Sequence, residues 1–544
     1  MSERTTGPSR AVRLVDILSR GWEPAPAGFI ARRSYYPWLV VGTTCIATFN
    51  GQLDASIVQL ALPALEHQFQ ARLSGVSWVA IGHQLAFAAF LPVFARLAEV
   101  AGRKAMFLIG FALFTVALIL CGSASNLIQL IAFRVLLGTA GAMLGANSVV
   151  ILVEAAGPSR RGRAMGIFAA AQAAGVTMGP VVGGILLGTL GWRWVFWVAA
   201  PLALAGAVTG WLVIPQTADH KSERKFDWRG AVLLMPALTM LLIVISLSHA
   251  WGPTSPEIIG SAVVTVTLLT MFIGQERRVS APLIDLDLFR ITAFAGGIVA
   301  IVVSYAMLYG MFFLMSFALV RGYHHSPLAA GLRLAVIPVA LGIVAPFSGT
   351  LYERLGVRTV LLSGMAVCCA ALILLSVSLT GTSNSVHSLT ISLAVFGAGL
   401  GMFIAPNNSA TLSAAPSDRS GEAGGLLNLM RIFGMSVGVA CASAVLSWRL
   451  AVATGIGDRT LAVSEDALLG GVKDGLLLLA AFAVTAGVTS VLRAPPRDPA
   501  VKVGPKPSLA QAHRPIVPVN AMARSVGLRP AGYGRCSGPL QAAR

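Results

Sequence analysis

The sequence has few charged residues for its length. Of its 544 residues, 11% are Asp, Glu, Lys or Arg, whereas an ordinary soluble domain carries about 25%. Hydrophobic residues make up 56% of the chain, and the mean hydropathy is +0.77. So few polar residues cannot cover a surface in contact with water. Because lipid replaces water as the solvent in a bilayer, the composition predicts an integral membrane protein.

The motifs of common enzymes and channels are also missing. We find no Gly-x-x-x-x-Gly-Lys-Ser/Thr phosphate loop, no His-Glu-x-x-His and no Gly-x-Ser-x-Gly, which argues against ATP hydrolysis, a catalytic metal or a nucleophilic serine. The six cysteines show no metal-site spacing and no disulfide framework. No selectivity filter or ring of charges indicates a channel. The sequence therefore predicts no enzyme activity, no metal and no cofactor.

Long apolar runs are abundant. A helix needs roughly 17–25 residues to cross the hydrocarbon core, and fourteen runs meet this requirement. They are Trp38–Leu62, Gly75–Leu97, Ala105–Ser123, Leu127–Ala155, Ala164–Leu190, Trp194–Ile214, Gly230–Ser248, Ile258–Gly274, Ala293–Leu319, Pro327–Thr350, Val360–Leu379, Leu389–Leu412, Gly424–Leu446 and Gly475–Leu492. The sequence thus predicts an all-α protein with fourteen transmembrane helices.

The net charge is +18, and most of the Lys and Arg residues lie between the apolar runs and in the tails. This distribution is typical of the signals that orient a membrane protein, so it predicts no nucleic-acid partner. If the N-terminus is cytoplasmic, 31 of the 40 Lys and Arg residues fall inside and 6 fall outside. Both termini are therefore predicted to lie in the cytoplasm of a cell-membrane protein. Residues 1–36 are predicted to form the N-terminal tail, and the basic residues 493–544 a disordered tail. Binding of anionic lipid by this basic tail and the absence of any role are both open.

One loop sequence occurs twice. Ala95–Lys104 follows the second apolar run and Gly349–Arg358 follows the tenth, and Leu, Glu, Gly and a terminal base match in register. Parallel repeats of this kind are typical of transporters. The predicted divisions are an N-terminal six-helix bundle at 37–214, an inserted helix pair with its cytoplasmic linkers at 215–292, and a C-terminal six-helix bundle at 293–492.

Charged residues inside the apolar runs are the first functional candidates, because a charge in a membrane helix is costly. Asp54 lies deep in the first run, and Arg134 lies in the fourth. A buried carboxylate can exchange a proton, and an arginine that approaches or withdraws would control that exchange. The alternatives are a structural hydrogen-bond anchor for Asp54 and a snorkelling side chain for Arg134. Arg431 and Arg333 are further candidates.

Two other features carry a predicted role. In the fifth run, Gly175, Gly179, Pro180, Gly183 and Gly184 combine a small-residue face with a helix-bending proline. In the repeated loops, the charges can latch the two halves at their cytoplasmic side; a solvated loop charge is the alternative. These predicted gate residues are Glu99, Arg103, Glu353 and Arg358.

These features resemble the major facilitator superfamily, and specifically its fourteen-helix drug:proton antiporters of the EmrB/QacA type. The resemblance covers roughly residues 38–492. It rests on the segments Leu53–Pro63, Gly175–Gly184, Gly191–Trp197, Phe226–Gly230, Pro282–Arg290 and Ser326–Gly331. The resemblance implies the major facilitator fold of two six-helix bundles plus two inserted helices. It also implies that Asp54 takes part in proton coupling, that Arg134 is the arginine of the fourth helix, and that Gly175–Gly184 is the antiporter motif.

Three residues depart from the family's pattern. The resemblance implies that Ala95–Lys104 is the family's gating loop, and Ala95 and Glu99 stand where that loop usually has Gly and Asp. Leu137 stands where the fourth helix often has Gln. The resemblance implies a proton-coupled exporter of drug-like, hydrophobic or cationic small molecules, with protons and membrane lipid as further partners. Export of an endogenous metabolite such as a lipid, siderophore or amino acid is the alternative. The sequence names no substrate and no accessory export protein.

Overall fold

Apolar segments in a membrane become helices because only a helix or a closed barrel satisfies every backbone N–H and C=O group without water. The computed structural model describes residue 23 and residues 25–216, 227–251, 255–279, 282–379, 385–416, 419–455 and 460–492. Within them we number the long helices α1 (Tyr36–Phe69), α2 (Leu73–Ala101), α3 (Arg103–Gly122), α4 (Leu127–Ala156), α5 (Arg161–Thr189), α6 (Ala199–Val213), α7 (Trp228–Trp251), α8 (Pro256–Glu276), α9 (Thr292–Phe317), α10 (Pro327–Leu355), α11 (Val357–Ser378), α12 (Ser385–Ala414), α13 (Ser420–Thr454) and α14 (Glu465–Leu492).

Thirteen helical segments in the described part of the chain are long and apolar enough to cross a membrane, and the fifth of these includes the single turn Trp194–Trp197 before α6. The remaining long helix is α1, which has 34 residues. Its polar residues Asn50, Gln52 and Asp54 lower its hydropathy. No strand occurs among the described residues. The predicted all-α membrane fold is therefore confirmed.

Several helices are longer than their apolar runs, and α1 and α13 extend furthest at their C-terminal ends. The first run was predicted to end at Leu62, but α1 continues to Phe69. The thirteenth was predicted to end at Leu446, but α13 continues to Thr454. Each extension has a polar contact. Glu66 of α1 is fully buried, and Arg449 of α13 pairs with Asp474 of α14 at 2.9 Å. An apolar-run criterion ends too early where polar residues are paired.

The helices pack in two groups. In the first group, α1 packs against α4 and α5, α2 against α4, and α3 against α4 and α6. In the second, α9 packs against α13 and α14, α11 against α12 and α14, and α10 against α12. The middle of the molecule is the most buried part. Tyr309, Phe312 and Phe313 of α9 are completely buried.

The two groups meet mainly through three helix pairs, namely α1 with α9, α2 with α13, and α5 with α10. The helices α7 and α8 pack against each other, and α7 also contacts α2 and α13. The helices α1, α2 and α5 of the first group and α9, α10 and α13 of the second therefore form the boundary between the groups. The predicted N-terminal tail up to residue 22, the linker 217–226 and the tail 493–544 lie outside the described residues.

Candidate functional site

The centre of the first group holds a buried ion pair. Nη1 of Arg134 on α4 donates to both carboxylate oxygens of Asp54 on α1, at 2.7 Å each. Its Nε donates to the Val79 carbonyl oxygen at 2.9 Å. Both charged side chains are 1% exposed, and the guanidinium also lies 5.7 Å from the centre of the Phe196 ring. The two residues that the sequence analysis paired are thus in direct contact.

A histidine that the sequence analysis did not single out completes this centre. Nε2 of His83 on α2 lies 3.6 Å from Oδ2 of Asp54. Both ring nitrogens are buried and have no hydrogen-bond partner among the described residues. The approach of α4 depends on Gly138, where an added Cβ would overlap the His83 carbonyl oxygen. A histidine inside an apolar run is itself an unusual ionisable group, and this signal could have identified it.

The charge state of Asp54 determines whether Arg134 has a counterion. While Asp54 is ionised, Arg134 has a counterion in a place that excludes water. If Asp54 were protonated, the guanidinium would remain charged and would lose its counterion, with the neutral carboxyl, the Val79 carbonyl and the Phe196 ring as its described neighbours. Leaving one member of a buried pair uncompensated costs about 3–5 kcal/mol. An uncompensated guanidinium here would be a reason for the helices that hold it to rearrange.

The glycine string on α5 packs against α1 beside this ion pair. A Cβ at Gly175 would lie 2.6 Å from the Phe49 carbonyl oxygen, and one at Gly179 would overlap Oγ of Ser56. A Cβ at Gly183 would lie 2.8 Å from the Ile57 side chain. The three glycines therefore share one face, which leaves no room for a side chain. The structure places this face around the turn of α1 that carries Asp54.

The same string also contacts the second group of helices. A Cβ at Gly184 would lie 2.6 Å from the Pro327 carbonyl oxygen at the start of α10. The Pro180 carbonyl oxygen occupies the place where Gly331 of α10 would carry its Cβ. Small residues on both helices thus let the backbones of α5 and α10 touch. This contact lies toward the end of the bundle that carries Glu66, which we call the Glu66 end.

A buried carboxylate ties the two groups together at this end. Oε1 of Glu66, in the last turn of α1, accepts a hydrogen bond from the Thr460 backbone N–H at 2.8 Å. The Thr460 hydroxyl also donates to Oε2 of Glu66. Thr460 belongs to the short helix Thr460–Ala462, which precedes α14. The Glu66 end is therefore closed by a side-chain contact as well as by the glycine packing.

The four predicted gate residues lie at the opposite, Glu99 end, and the structure does not bring them together. Glu99 pairs with Arg96 at 3.2 Å, and Arg103 lies 3.4 Å from Glu154.

Glu353 and Arg358 are exposed, and neither forms an ion pair with another described residue. Contact between the groups is made instead by Arg96, a residue that the sequence analysis did not include. It lies 3.9 Å from Glu422 of α13 and donates to the Pro282 carbonyl oxygen at 3.2 Å. The latch of four charges therefore stays a prediction.

The two remaining arginines occupy different places. Arg431 of α13 donates to Gln172 of α5 at 3.4 Å and to Asn428 at 2.8 Å, so it spans the boundary between the helix groups. Arg333 of α10 donates to the Ala329 carbonyl oxygen at 2.9 Å. Burial and the charge of Arg333 lower the pKa of His325 in the preceding loop.

Comparisons with known proteins agree with this architecture. The family model described as Major Facilitator Superfamily matches residues 44–439. The multidrug resistance protein Stp of Mycobacterium tuberculosis is 32% identical over 415 residues, which cover 75% of this chain and 76% of that protein. The tetracenomycin C resistance and export protein of Streptomyces glaucescens is 28% identical over 442 residues, which cover 79% of this chain and 82% of that protein.

The fold is also similar to a solved structure. A bacterial homolog of the human lysosomal transporter Spinster, in an inward-facing and unoccupied conformation, superposes with a TM-score of 0.62 and 16% sequence identity. The superposition covers 85% of this chain and 97% of that chain. At this identity the likeness concerns the fold alone.

Proposed function

The chain belongs to the major facilitator superfamily and is a multi-pass membrane transporter rather than an enzyme, and from this premise we propose that it is a proton-coupled exporter of drug-like small molecules. In this proposal it is a fourteen-helix drug:proton antiporter of the EmrB/QacA type. A proton would enter as an amphiphilic substrate leaves, by alternating exposure of one central site to the two sides of a cell membrane. Both termini would be cytoplasmic, so the Glu99 end would face the cytoplasm.

The single observation that carries the proposal is the buried contact between Asp54 and Arg134. A proton on Asp54 removes the counterion of Arg134, and a substrate that favours the ionised arrangement displaces that proton. Linkage makes the effect reciprocal, because each ligand changes the affinity for the other by the same factor. In the proposal, His83, at 3.6 Å from Asp54, lies beside the path that the proton takes to Asp54.

The packing of α5 supports a mechanical link between the proton site and the helix-group boundary. Gly175 and Gly179 hold α5 against the turn of α1 that carries Asp54, and Gly184 holds it against α10. In the proposal, a shift of α1 on protonation moves α5 and loosens its contact with α10 at the Glu66 end.

The Glu99 end would close when the Glu66 end opens. We assign this closure to the predicted gate, in which Glu99 and Arg103 face Glu353 and Arg358 across the boundary. The bundles at 37–214 and 293–492 would act as the two moving bodies, with the pair at 215–292 between them.

The test is substrate-triggered proton release from the purified, detergent-solubilised full chain in weak buffer. The probes are pyrenebutyrate, pyrenebutanol and pyrenebutylamine, which share one apolar body and differ in charge. We expect at least one probe to release protons from the wild type and none from Asp54→Asn. Asp474→Asn is the matched control, because Asp474 pairs with Arg449 away from this centre and its variant should still release protons. Saturable binding to the wild type without any proton release would refute antiport.

A further inference from the structure

We propose that the central substrate subsite is an oxyanion site built on Arg431, so that the transported molecule is an amphiphile with an acidic group such as a carboxylate or an ionised phenol. This inference rests on the proposed exporter function and narrows its substrate class. It departs from the sequence-based expectation of a hydrophobic or cationic substrate, which no observation on the molecule has tested.

The position of Arg431 is that of a substrate-binding residue. It lies about a third of the way along α13, and Gln172, to which it donates, lies at a similar point along α5. These helices belong to different groups. Its guanidinium lies 5.9 Å from the centre of the Tyr305 ring of α9. A ligand bound here would touch both moving bodies, as alternating access requires.

The partners of Arg431 leave its charge unbalanced. Its described hydrogen-bond acceptors are the neutral amide oxygens of Gln172 and Asn428, and the Gln172 contact, at 3.4 Å, is long. Its Nε is buried and has no partner among the described residues. No described carboxylate lies within ion-pair distance of it. A guanidinium offers five N–H donors in a planar fork, so most of the N–H donors of Arg431 have no acceptor among the described residues.

Unbalanced charge distinguishes Arg431 from Arg134. Arg134 is satisfied within the protein by the carboxylate of Asp54. An arginine that is partly buried without a counterion is costly, unless a ligand supplies the missing charge during the transport cycle. A carboxylate fits the guanidinium fork with two parallel hydrogen bonds. A cationic ligand in the same place would be repelled, because no described acid balances Arg431.

The surroundings also suit the body of such a ligand. Tyr305 is partly buried next to the guanidinium, and the Tyr309 hydroxyl is buried without a partner among the described residues. An aromatic wall beside a few polar groups is the usual composition of a small-molecule site. The acidic group would therefore bind Arg431, while the apolar body stacks against α9.

The experiment measures binding of the three pyrene probes to the full chain in lipid nanodiscs, with empty nanodiscs as the blank. We expect the wild type to bind pyrenebutyrate at least tenfold more tightly than pyrenebutanol, and pyrenebutylamine most weakly. Arg431→Gln should weaken pyrenebutyrate at least tenfold and leave pyrenebutanol unchanged, whereas Arg431→Lys should keep part of the preference. Arg449→Gln, on the same helix and paired with Asp474, is the matched control and should bind like the wild type.

Two binding results would overturn the proposal. One is wild-type binding of pyrenebutanol or pyrenebutylamine as tight as that of pyrenebutyrate. The other is an equal loss of all three probes in Arg431→Gln, which would indicate a structural role. Failure of the exporter function is a separate outcome. If pyrenebutyrate binds through Arg431 without releasing a proton, antiport is refuted and the oxyanion site stands. If a pH gradient drives export of pyrenebutylamine by both the wild type and Arg431→Gln, the oxyanion site is refuted and antiport stands.

Discussion

The contact between α5 and α10 gives a sharp prediction for Gly184→Ala. The added Cβ would lie 2.6 Å from the Pro327 carbonyl oxygen and 2.8 Å from Cα of Leu328. Both are backbone atoms, so no side chain can rotate away to make room. The two helices must separate at this point, and separation there opens the Glu66 end. Gly184→Ala should therefore destabilise the closed arrangement.

The size of the effect follows from the overlap. Inserting one methyl group into a well-packed contact costs about 1–3 kcal/mol. A value of about 2 kcal/mol changes a two-state equilibrium about 30-fold. If about 1% of molecules are open at this end in the wild type, about 20% should be open in the variant. A change of this size is measurable as a second population.

The assay is a distance distribution between two spin labels in nanodiscs. Labels at Leu190, which is 55% exposed just after α5, and at Leu332, which is 51% exposed on α10, span the contact in a chain whose native cysteines are replaced. Gly184→Ala should add a longer distance to the wild-type distribution. Gly188→Ala is the matched control, because it adds the same methyl group one turn further along α5, where nothing lies within 4 Å.

Two outcomes would contradict this reasoning. If Gly184→Ala gave the wild-type distribution, the contact would not control closure at the Glu66 end. If Gly188→Ala broadened the distribution as much as Gly184→Ala, the effect would come from helix propensity or from the label, and not from the contact.

Two further predictions concern buried charges. Glu66→Gln should add the same longer distance, because a neutral amide binds the Thr460 N–H and hydroxyl more weakly than a carboxylate, by about 1–2 kcal/mol. The same pair of spin labels measures this distance. An unchanged distribution would show that the contact does not hold the Glu66 end closed. Lys104→Met should lower the melting temperature by several degrees, because Nζ of Lys104 closes the end of α6 through the carbonyl oxygens of Ile214 at 2.6 Å and Trp211 at 3.2 Å. Arg354→Met changes an exposed side chain and should melt like the wild type.

Much of the fold follows from run length, because a bilayer leaves few alternatives to a helix of about 20 apolar residues. The run criterion identified α1 despite the polar residues around Asp54. The contact between Asp54 and Arg134 was predictable for a related reason. Two opposite charges in apolar helices are each costly alone, so they are expected to pair even though 80 residues separate them.

Other contacts could not be read from the sequence. Glu66 lies beyond the end of its apolar run, where it resembles a solvated loop residue, and its partner Thr460 is 394 residues away. The gate prediction paired Glu99 with the distant repeat, whereas the structure pairs it with Arg96, three residues earlier on the same helix. Neighbours at this spacing meet without any tertiary arrangement, so local pairing needs no closure of the bundle.

The helix α5 connects these observations. One face of it, at Gly175, Gly179 and Gly183, lies against the part of α1 that carries Asp54, and the next residue, Gly184, lies against α10. Close-packed contacts of this kind transmit displacement because they cannot be compressed. A side chain on either face would place flexible atoms between the backbones, and these atoms could absorb a displacement of α1 before it reached α10. In the proposed mechanism, these glycine contacts would therefore couple the position of α1 to closure at the Glu66 end.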